Sequence, residues 1–227
     1  MNYSVVAVLL VLVGAFFGCE SSGTDEHAAA SLMDADTSVT NDAVILEALL
    51  NKSISVDTMQ VDQRDPFLYF KSGYFLDEHK KYALAVICPA DSMYDVCVYT
   101  IGPDGWQLID GVHGLDAFPV EFDVMFKDYN FDGQNDVFIQ VTVSNGWAMS
   151  RGHLLIVDPK TKELQLHPEA KELANLRPDT DSNVVFTEEW DGYDSVNGEQ
   201  HLVMLTHRWI NNALTLTGKR KVTVSLR

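Results

Sequence analysis

The sequence predicts an all-β protein built as an antiparallel meander of hairpins. Extended stretches rich in β-branched and aromatic residues recur from about Phe67 to the end of the chain. In several of them, such as Val120–Phe126 and Val137–Val143, apolar and polar residues alternate with a period of two. Turn signals such as Pro103-Asp104-Gly105 and Asn211-Asn212 separate neighbouring stretches. Such a meander closes as a barrel, a sandwich or a few propeller-like blades, and this choice stays open.

The extended stretches are short and follow one another closely. We expect strands at Gly73–Leu76, Tyr82–Cys88, Tyr94–Ile101, Trp106–Ile109, Val120–Phe126, Val137–Val143, His153–Val157, Glu163–Leu166, Asn183–Glu188, His201–Ile210 and Ala213–Leu226. Where the alternation is strict, each strand is expected to bury one face.

Composition narrows the class of protein. The chain has 227 residues, of which 46% are hydrophobic and 22% charged, so it has enough apolar matter for one packed domain. There are 33 acidic residues against 16 Lys and Arg, which gives a formal net charge of -17. We therefore expect no nucleic-acid partner, because phosphate binding needs a basic surface.

The N-terminal segment has the character of an export signal. Val5–Phe17 is apolar and uncharged, too short for a membrane span but typical of a secretory signal peptide. The run ends in Gly18-Cys19, which resembles the bacterial lipobox. This resemblance implies a signal peptide at residues 1–18 and lipidation of Cys19, so that acyl chains hold the mature protein to a membrane.

A polar tether and a short helix are expected next. Residues 19–42 start acidic and contain few large apolar groups, so we expect a flexible tether. The remainder, residues 43–227, is predicted to be a single β-rich domain. It opens with a short helix, in which Asn41 or Asp42 is the N-cap and apolar residues recur at helical spacing up to Asn51-Lys52.

Two cysteines remain after Cys19. Cys88 and Cys97 lie on two expected neighbouring strands, and a hairpin centred near Ser92 and Met93 would place them opposite each other. Export permits oxidation, so we expect a disulfide between them. The alternative is a pair of buried thiols.

The most informative motif is the loop Asp128–Asp136, which reads D-x-N-x-D-G-x-x-D. Ca²⁺ prefers oxygen ligands, and loop positions one, three, five and seven supply Asp128, Asn130, Asp132 and the Gln134 backbone carbonyl, with Asp136 as a closing carboxylate. The EF-hand interpretation fails, because position twelve is Ile139 and the flanks are strands. We therefore expect a structural Ca²⁺ as the cofactor; a plain Asp-Gly hairpin turn is the alternative.

Sequence motifs of catalysis are absent. The chain has no G-x-S-x-G, H-E-x-x-H, P-loop or C-x-x-C pattern, so we predict that it is not an enzyme. The segment after the Val137–Val143 strand carries Trp147 and Arg151, residue types that anchor recognition surfaces. A recognition role for them competes with simple packing of Trp147 on the core.

The order of these features resembles a broad group of bacterial envelope lipoproteins with one such calcium loop in a β-rich, propeller-like domain. Some members of that group are immunity proteins that inhibit lysozyme-like effectors. The resemblance implies a lipid-anchored envelope protein facing the periplasm or the cell exterior, whose partner is a basic lysozyme-like enzyme. A glycan-binding module, a carboxylate-dependent hydrolase and a passive envelope scaffold remain the alternatives.

Overall fold

The structure is a computed structural model and describes residues 34–90, 93–118, 121–144 and 149–225. Across these residues the predicted all-β, antiparallel fold is confirmed: thirteen strands form three sheets, each with its strands in sequence order, and no sheet closes on itself. One α-helix precedes the strands, and a short 3-10 helix, Pro168–Glu172, lies between the second and third sheets.

The elements follow the chain without crossovers. Sheet A contains β1 (Met59–Arg64), β2 (Phe67–Gly73), β3 (Tyr82–Ala90), β4 (Met93–Gly102) and β5 (Gly105–Asp116); sheet B contains β6 (Asp123–Lys127), β7 (Asp136–Ser144), β8 (Met149–Val157) and β9 (Leu164–His167). Sheet C contains β10 (Arg177–Asp179), β11 (Val184–Asp194), β12 (Glu199–Ile210) and β13 (Ala213–Ser225).

The helix α1 (Asp34–Ser53) covers the outer face of sheet A. Its apolar residues pack on a small core that includes Leu68, Phe70 and Ala83. Its C-terminal end is tied down by the buried Lys81, whose ammonium group donates to the carbonyl oxygens of Ser53 and Val56. A cation at this end complements the helix dipole and the unsatisfied carbonyls.

Sheet B is the central layer and is buried on both faces. In β7, Val137 and Ile139 face the core shared with sheet A, whereas Phe138 faces the core shared with sheet C. The expectation that this strand buries one face is therefore wrong, because its alternate side chains meet two different layers. Close approach of β8 to β7 depends on Gly152, where a Cβ would lie 2.0 Å from the carbonyl oxygen of Ile139.

Sheet C is buried only where it packs against sheet B. Val185 and Leu176 join the core below sheet B, but the distal part of the sheet is progressively exposed. At the β11–β12 turn, Tyr193 is 47% and Val196 90% exposed. The sheet therefore projects beyond the core it shares with sheet B.

Several predicted boundaries need correction. The strand expected at Gly73–Leu76 is β2, Phe67–Gly73, and the strands β1 and β10 were not predicted. The sequence of β1 is Met-Gln-Val-Asp-Gln-Arg, which is too polar to predict a strand. The segment forms a strand by pairing with β2. The helix starts at Asp34, so nine residues assigned to the flexible tether, residues 34–42, are helical. Helix formation is cooperative. The helical turns of α1 that pack on sheet A therefore allow the helix to extend towards its N-terminus into a polar stretch.

Candidate functional site

The loop Asp128–Asp136 connects β6 to β7 and wraps around its first carboxylate. Asp128 Oδ1 accepts hydrogen bonds from the backbone N–H of Phe131 at 2.6 Å and of Asp132 at 3.2 Å, and its Oδ2 accepts one from Gly133 at 2.8 Å. Phe131 and Gly133 have φ values of +65° and +87°, and this left-handed conformation favours glycine at the second position. The predicted sharp turn at Gly133 is therefore present.

Loop positions three and five lie beside this carboxylate. Asn130 Oδ1 accepts from the Asp132 N–H at 3.1 Å, and its Nδ2 donates to Asp132 Oδ2 at 2.8 Å. Asp132 Oδ1 accepts from the Gln134 N–H at 2.8 Å. Asp128, Asn130 and Asp132 thus gather on one short turn, and all offer oxygen atoms.

Asp136 has a different environment. Its side chain is fully buried, with Oδ2 accepting from the Tyr129 N–H at 2.8 Å and Oδ1 from the Val157 N–H at 2.9 Å. The pKa of Asp136 is raised to about 7, chiefly because the group is buried; its two backbone hydrogen bonds lower the pKa, and the negative charges of Asp132 and Asp128 contribute to raising it. Asp136 therefore joins the start of the loop to the end of β8.

The far side of the loop is anchored to the segment after β2. Gln134 Nε2 donates to the Leu76 carbonyl at 2.8 Å, and Asn135 Nδ2 donates to the Phe75 carbonyl at 3.0 Å. The buried Lys162 donates to Gln134 Oε1 and, at 2.9 Å, to the Pro159 carbonyl. The side chain of the seventh loop residue, Gln134, is thus anchored to the β2–β3 connection, which leaves only its carbonyl for an ion.

A third contact reaches sheet C. Trp209 on β12 donates from Nε1 to the Tyr129 carbonyl at 2.6 Å, and its ring meets His167 edge-on at a centroid distance of 4.9 Å. Tyr129 is itself fully buried. The loop therefore contacts the β2–β3 connection, β8 and β12, which its sequence motif does not reveal.

Oxygen chemistry at this loop suits a hard cation such as Ca²⁺. The side chains that converge at this loop are two carboxylates and one amide. Within the described part of the chain, no cluster of three or more His, Cys, Asp or Glu side chains has the arrangement of a metal site. The negative charges of Asp132 and Asp128 contribute to the raised pKa of Asp136, so carboxylates lie close together at this loop, and a cation would neutralise their charge. The predicted roles of Asp128, Asn130, Asp132, Gln134 and Asp136 as ligands stay predictions. The carboxylate oxygens of both Asp128 and Asp136 already accept backbone N–H groups.

A cleft of about 600 Å³ opens between β8 and β11. It is lined by Met149, Arg151, Glu172, Leu173, Ala174, Thr187, Glu188, Glu189, Trp190 and Leu205. Of the two residues predicted for recognition, Arg151 lies in this β8–β11 cleft, and Trp147 lies outside the described residues. Trp190 and the glutamates were missed, because they belong to β11 and the 3-10 helix, far from Arg151 in sequence.

The predicted disulfide is not formed, and its geometric premise is wrong. Cys88 and Cys97 are both thiols in the structure. Cys97 pairs with Ala85 in the β3–β4 register, which shifts between Ile87 and Ala90, so the two cysteines are not opposite each other. Cys88 packs against the core between sheets A and B, whereas Ala85 belongs to the core below α1. Burial raises the pKa of the Cys97 thiol.

The predicted signal peptide and the lipidated Cys19 lie outside the described residues. Of the helices in residues 34–225, none is long and apolar enough to span a membrane.

Comparison with known proteins finds no matching family model and no matching curated protein. Among solved structures, the chain is similar to one described as "Structure of a Xanthomonas Type IV Secretion System related protein". The identity is 12% and the TM-score 0.44, over 75% of this chain and 94% of that chain. A likeness of this size does not define the function of the chain.

Proposed function

We propose that this protein is an exported, lipid-anchored binding protein of the bacterial cell envelope, whose β domain is stabilised by one Ca²⁺. The observation that supports stabilisation by an ion is the position of the Asp128–Asp136 loop, which contacts the β2–β3 connection, β8 and β12 through Leu76, Val157 and Trp209. An ion there would hold three layers in fixed relation, as a binding surface requires.

Asp128, Asn130, Asp132 and the Gln134 carbonyl would hold the ion. Bound Ca²⁺ would supply positive charge to an acidic loop and fix the loop conformation. The surrounding residues already orient this set, because backbone N–H groups hold both carboxylates and the Gln134 side chain is anchored elsewhere. This arrangement supports a structural ion over a catalytic one.

As its partner we propose a basic lysozyme-like enzyme, which the protein inhibits. The net charge of -17 would attract a basic enzyme and accelerate its association. The test is inhibition of a basic lysozyme by the chain from residue 19 onward, carrying Cys19→Ala, in Ca²⁺ and in chelator. Inhibition that is weaker in chelator is expected; absence of inhibition in both would remove the enzyme partner.

One observation favours a second function, carboxylate-dependent hydrolysis of a glycan. The β8–β11 cleft holds Glu172, Glu188 and Glu189, and paired carboxylates carry out glycoside hydrolysis. Release of soluble fragments from peptidoglycan by the wild-type chain, abolished by Glu188→Gln, would establish this alternative.

Anchoring is tested separately. Cys19→Ala is expected to move the protein from the membrane fraction to the soluble fraction of cells, whereas Cys88→Ala should leave it with membranes. A Cys19→Ala protein that still sediments with membranes would contradict lipidation at this position.

A further inference from the structure

The part of sheet C that projects beyond sheet B has two unlike faces. Residues paired across antiparallel strands share a face of the sheet, and successive residues alternate between the faces. The face turned towards sheet B carries Val185, Leu205 and His207, all of them buried. The opposite face, called here the outer face of sheet C, consists of four cross-strand rows: Phe186, Thr206 and Gly218; Glu188, Met204 and Arg220; Trp190, Leu202 and Val222; and Tyr193, Gln200 and Val224.

The outer face of sheet C is apolar and exposed towards its far end. Trp190 is 38%, Tyr193 47% and Val224 38% exposed, and Leu202 and Val222 between them are half-buried. These side chains do not belong to any of the three hydrophobic cores of the described residues. They form a contiguous apolar patch on solvent, which in a folded protein marks an interaction surface.

The other face of the same strands is polar at this level. His201 Nδ1 lies 3.2 Å from Thr223 Oγ1, and Lys221 Nζ donates to Asp191 Oδ2 at 2.8 Å. An antiparallel sheet with one solvated face normally turns its polar residues to solvent and its apolar residues to the protein. Here the apolar residues face away from sheet B, so the layer that covers them is not supplied by sheet B.

One row of the outer face ends in opposite charges. Glu188 lies on β11 at one side and Arg220 on β13 at the other, with Met204 between them on β12. Asn175 Nδ2 donates to Glu188 Oε2 at 2.7 Å, and Arg220 Nη2 lies 3.5 Å from Met204 Sδ. From these features we infer that the outer face of sheet C binds the same face of a second copy of this chain and forms a symmetric dimer.

Two-fold symmetry makes the outer face complementary to itself. With the axis parallel to β12 and above it, β11 of each copy lies over β13 of the other, and the rows stay aligned. Glu188 of each copy then faces Arg220 of the other, while Leu202 and Met204 meet their own counterparts near the axis. Sheets packed in this way lie about 10 Å apart with strands within about 30°, so these side chains reach across. Sheet B lies on the other face of sheet C and does not obstruct the contact.

The dimer is expected to be weak and reversible. Three strands about 4.8 Å apart and four rows about 6.7 Å apart cover roughly 400 Å² of each copy, against about 800 Å² in a standard interface. The net charge of -17 on each copy adds a general repulsion, which about 150 mM salt screens. We therefore expect a dimer Kd of about 10–100 μM at this salt concentration.

Sedimentation velocity measures the dimer directly, with the chain from residue 19 onward carrying Cys19→Ala at concentrations from about 1 μM to 1 mM. Val222→Lys places a charge at the centre of the contact and should raise Kd more than tenfold, because an ammonium group is costly to bury without a partner. The matched control is Thr223→Lys, which adds the same charge at the next residue of β13, on the other face, and should change Kd less than about twofold.

Charge exchange tests the symmetry of the contact. In Glu188→Arg and in Arg220→Glu, like charges face each other twice across the axis, so each variant alone should dimerise at least about tenfold more weakly. An equimolar mixture of the two variants should recover the dimer, since every charge of one copy then faces an opposite charge of the other. This recovery separates a lost contact from a lost fold.

Three results would overturn the inference: a wild type that is monomeric at 1 mM, equal dimerisation of Val222→Lys and Thr223→Lys, or a mixture of the two charge variants that stays monomeric. A wild type that does not dimerise but sediments with vesicles of phosphatidylethanolamine and phosphatidylglycerol would overturn it in favour of a membrane surface.

Discussion

Two acidic hairpin loops differ sharply in what surrounds them. The β6–β7 loop, Asp128–Asp136, contains the fully buried Tyr129 and Asp136 and contacts the β2–β3 connection, β8 and β12. In the β11–β12 turn after Asp194, by contrast, Val196 is 90% exposed and the bonds of Asp194 go to Val196 and Asn197 within the turn.

The same residue type responds in opposite directions in the two loops. The pKa of Asp194 lies below its usual range, because Asn197 and backbone N–H groups donate to an exposed carboxylate. The pKa of Asp136 is raised to about 7, because burial opposes its charge. Acidic composition alone therefore does not make a site; a carboxylate held against other layers of the fold does.

The largest expected effect is loss of the buried carboxylate. Asp136→Ala leaves the N–H groups of Tyr129 and Val157 without their acceptor, so the free energy of unfolding should fall by about 2–4 kcal/mol. Urea unfolding in chelator, followed by circular dichroism, measures this. Asp194→Ala is the matched control and should cost much less; an equal cost would remove the distinction between the loops.

The next largest effect is the increase in stability on Ca²⁺ binding. At a Ca²⁺ concentration about 100 times Kd, binding adds about 2.7 kcal/mol, which raises Tm by roughly 5–10 °C for a domain of this size. Asp132→Ala should abolish this rise and Asp194→Ala should retain it. Scanning calorimetry with Ca²⁺ and with chelator gives the answer; a rise that persists in Asp132→Ala would place the ion elsewhere.

A smaller effect is expected at the contact with sheet C. Trp209→Phe removes the donor to the Tyr129 carbonyl and should cost about 1 kcal/mol. Trp190→Phe, on the exposed part of the same sheet, should leave the unfolding midpoint almost unchanged. If both variants melt alike, the β6–β7 loop is not coupled to sheet C through Trp209.

The smallest effect concerns pH. Burial lowers the pKa of His153, against the raising influence of its bond to the Asp116 carbonyl at 2.9 Å. The unfolded chain therefore takes up this proton first, so His153 lowers the stability as pH falls below about 6.5, by at most about 1.4 kcal/mol per pH unit, whereas the raised pKa of Asp136 acts in the opposite direction over the same range. His153→Gln should remove the His153 contribution and so change the slope of stability against pH between pH 6.5 and 5, and His79→Gln, at an exposed position, should not. Equal slopes in all three proteins would contradict the assignment to His153.

The sequence predicted most strands because their periodicity is a local property. It missed β1, a polar strand that is stabilised by its pairing with β2. It also misplaced the cysteines, because a register shift between Ile87 and Ala90 sends them to different faces of sheet A. Such a shift depends on how the whole hairpin packs and leaves no mark on the spacing of two residues.

The candidate site divides in the same way. By itself the sequence determined the all-β class, the sharp turn at Gly133 and the cluster of Asp128, Asn130 and Asp132, because a turn and its nearest side chains are set within a few residues. Only the tertiary structure decided that Asp136 is buried, that Trp209 reaches the loop, and that Arg151 shares a cleft with Glu188. Burial and contact between layers depend on residues up to 80 positions apart, as for Trp209 and Tyr129, which only the packing of three sheets brings together.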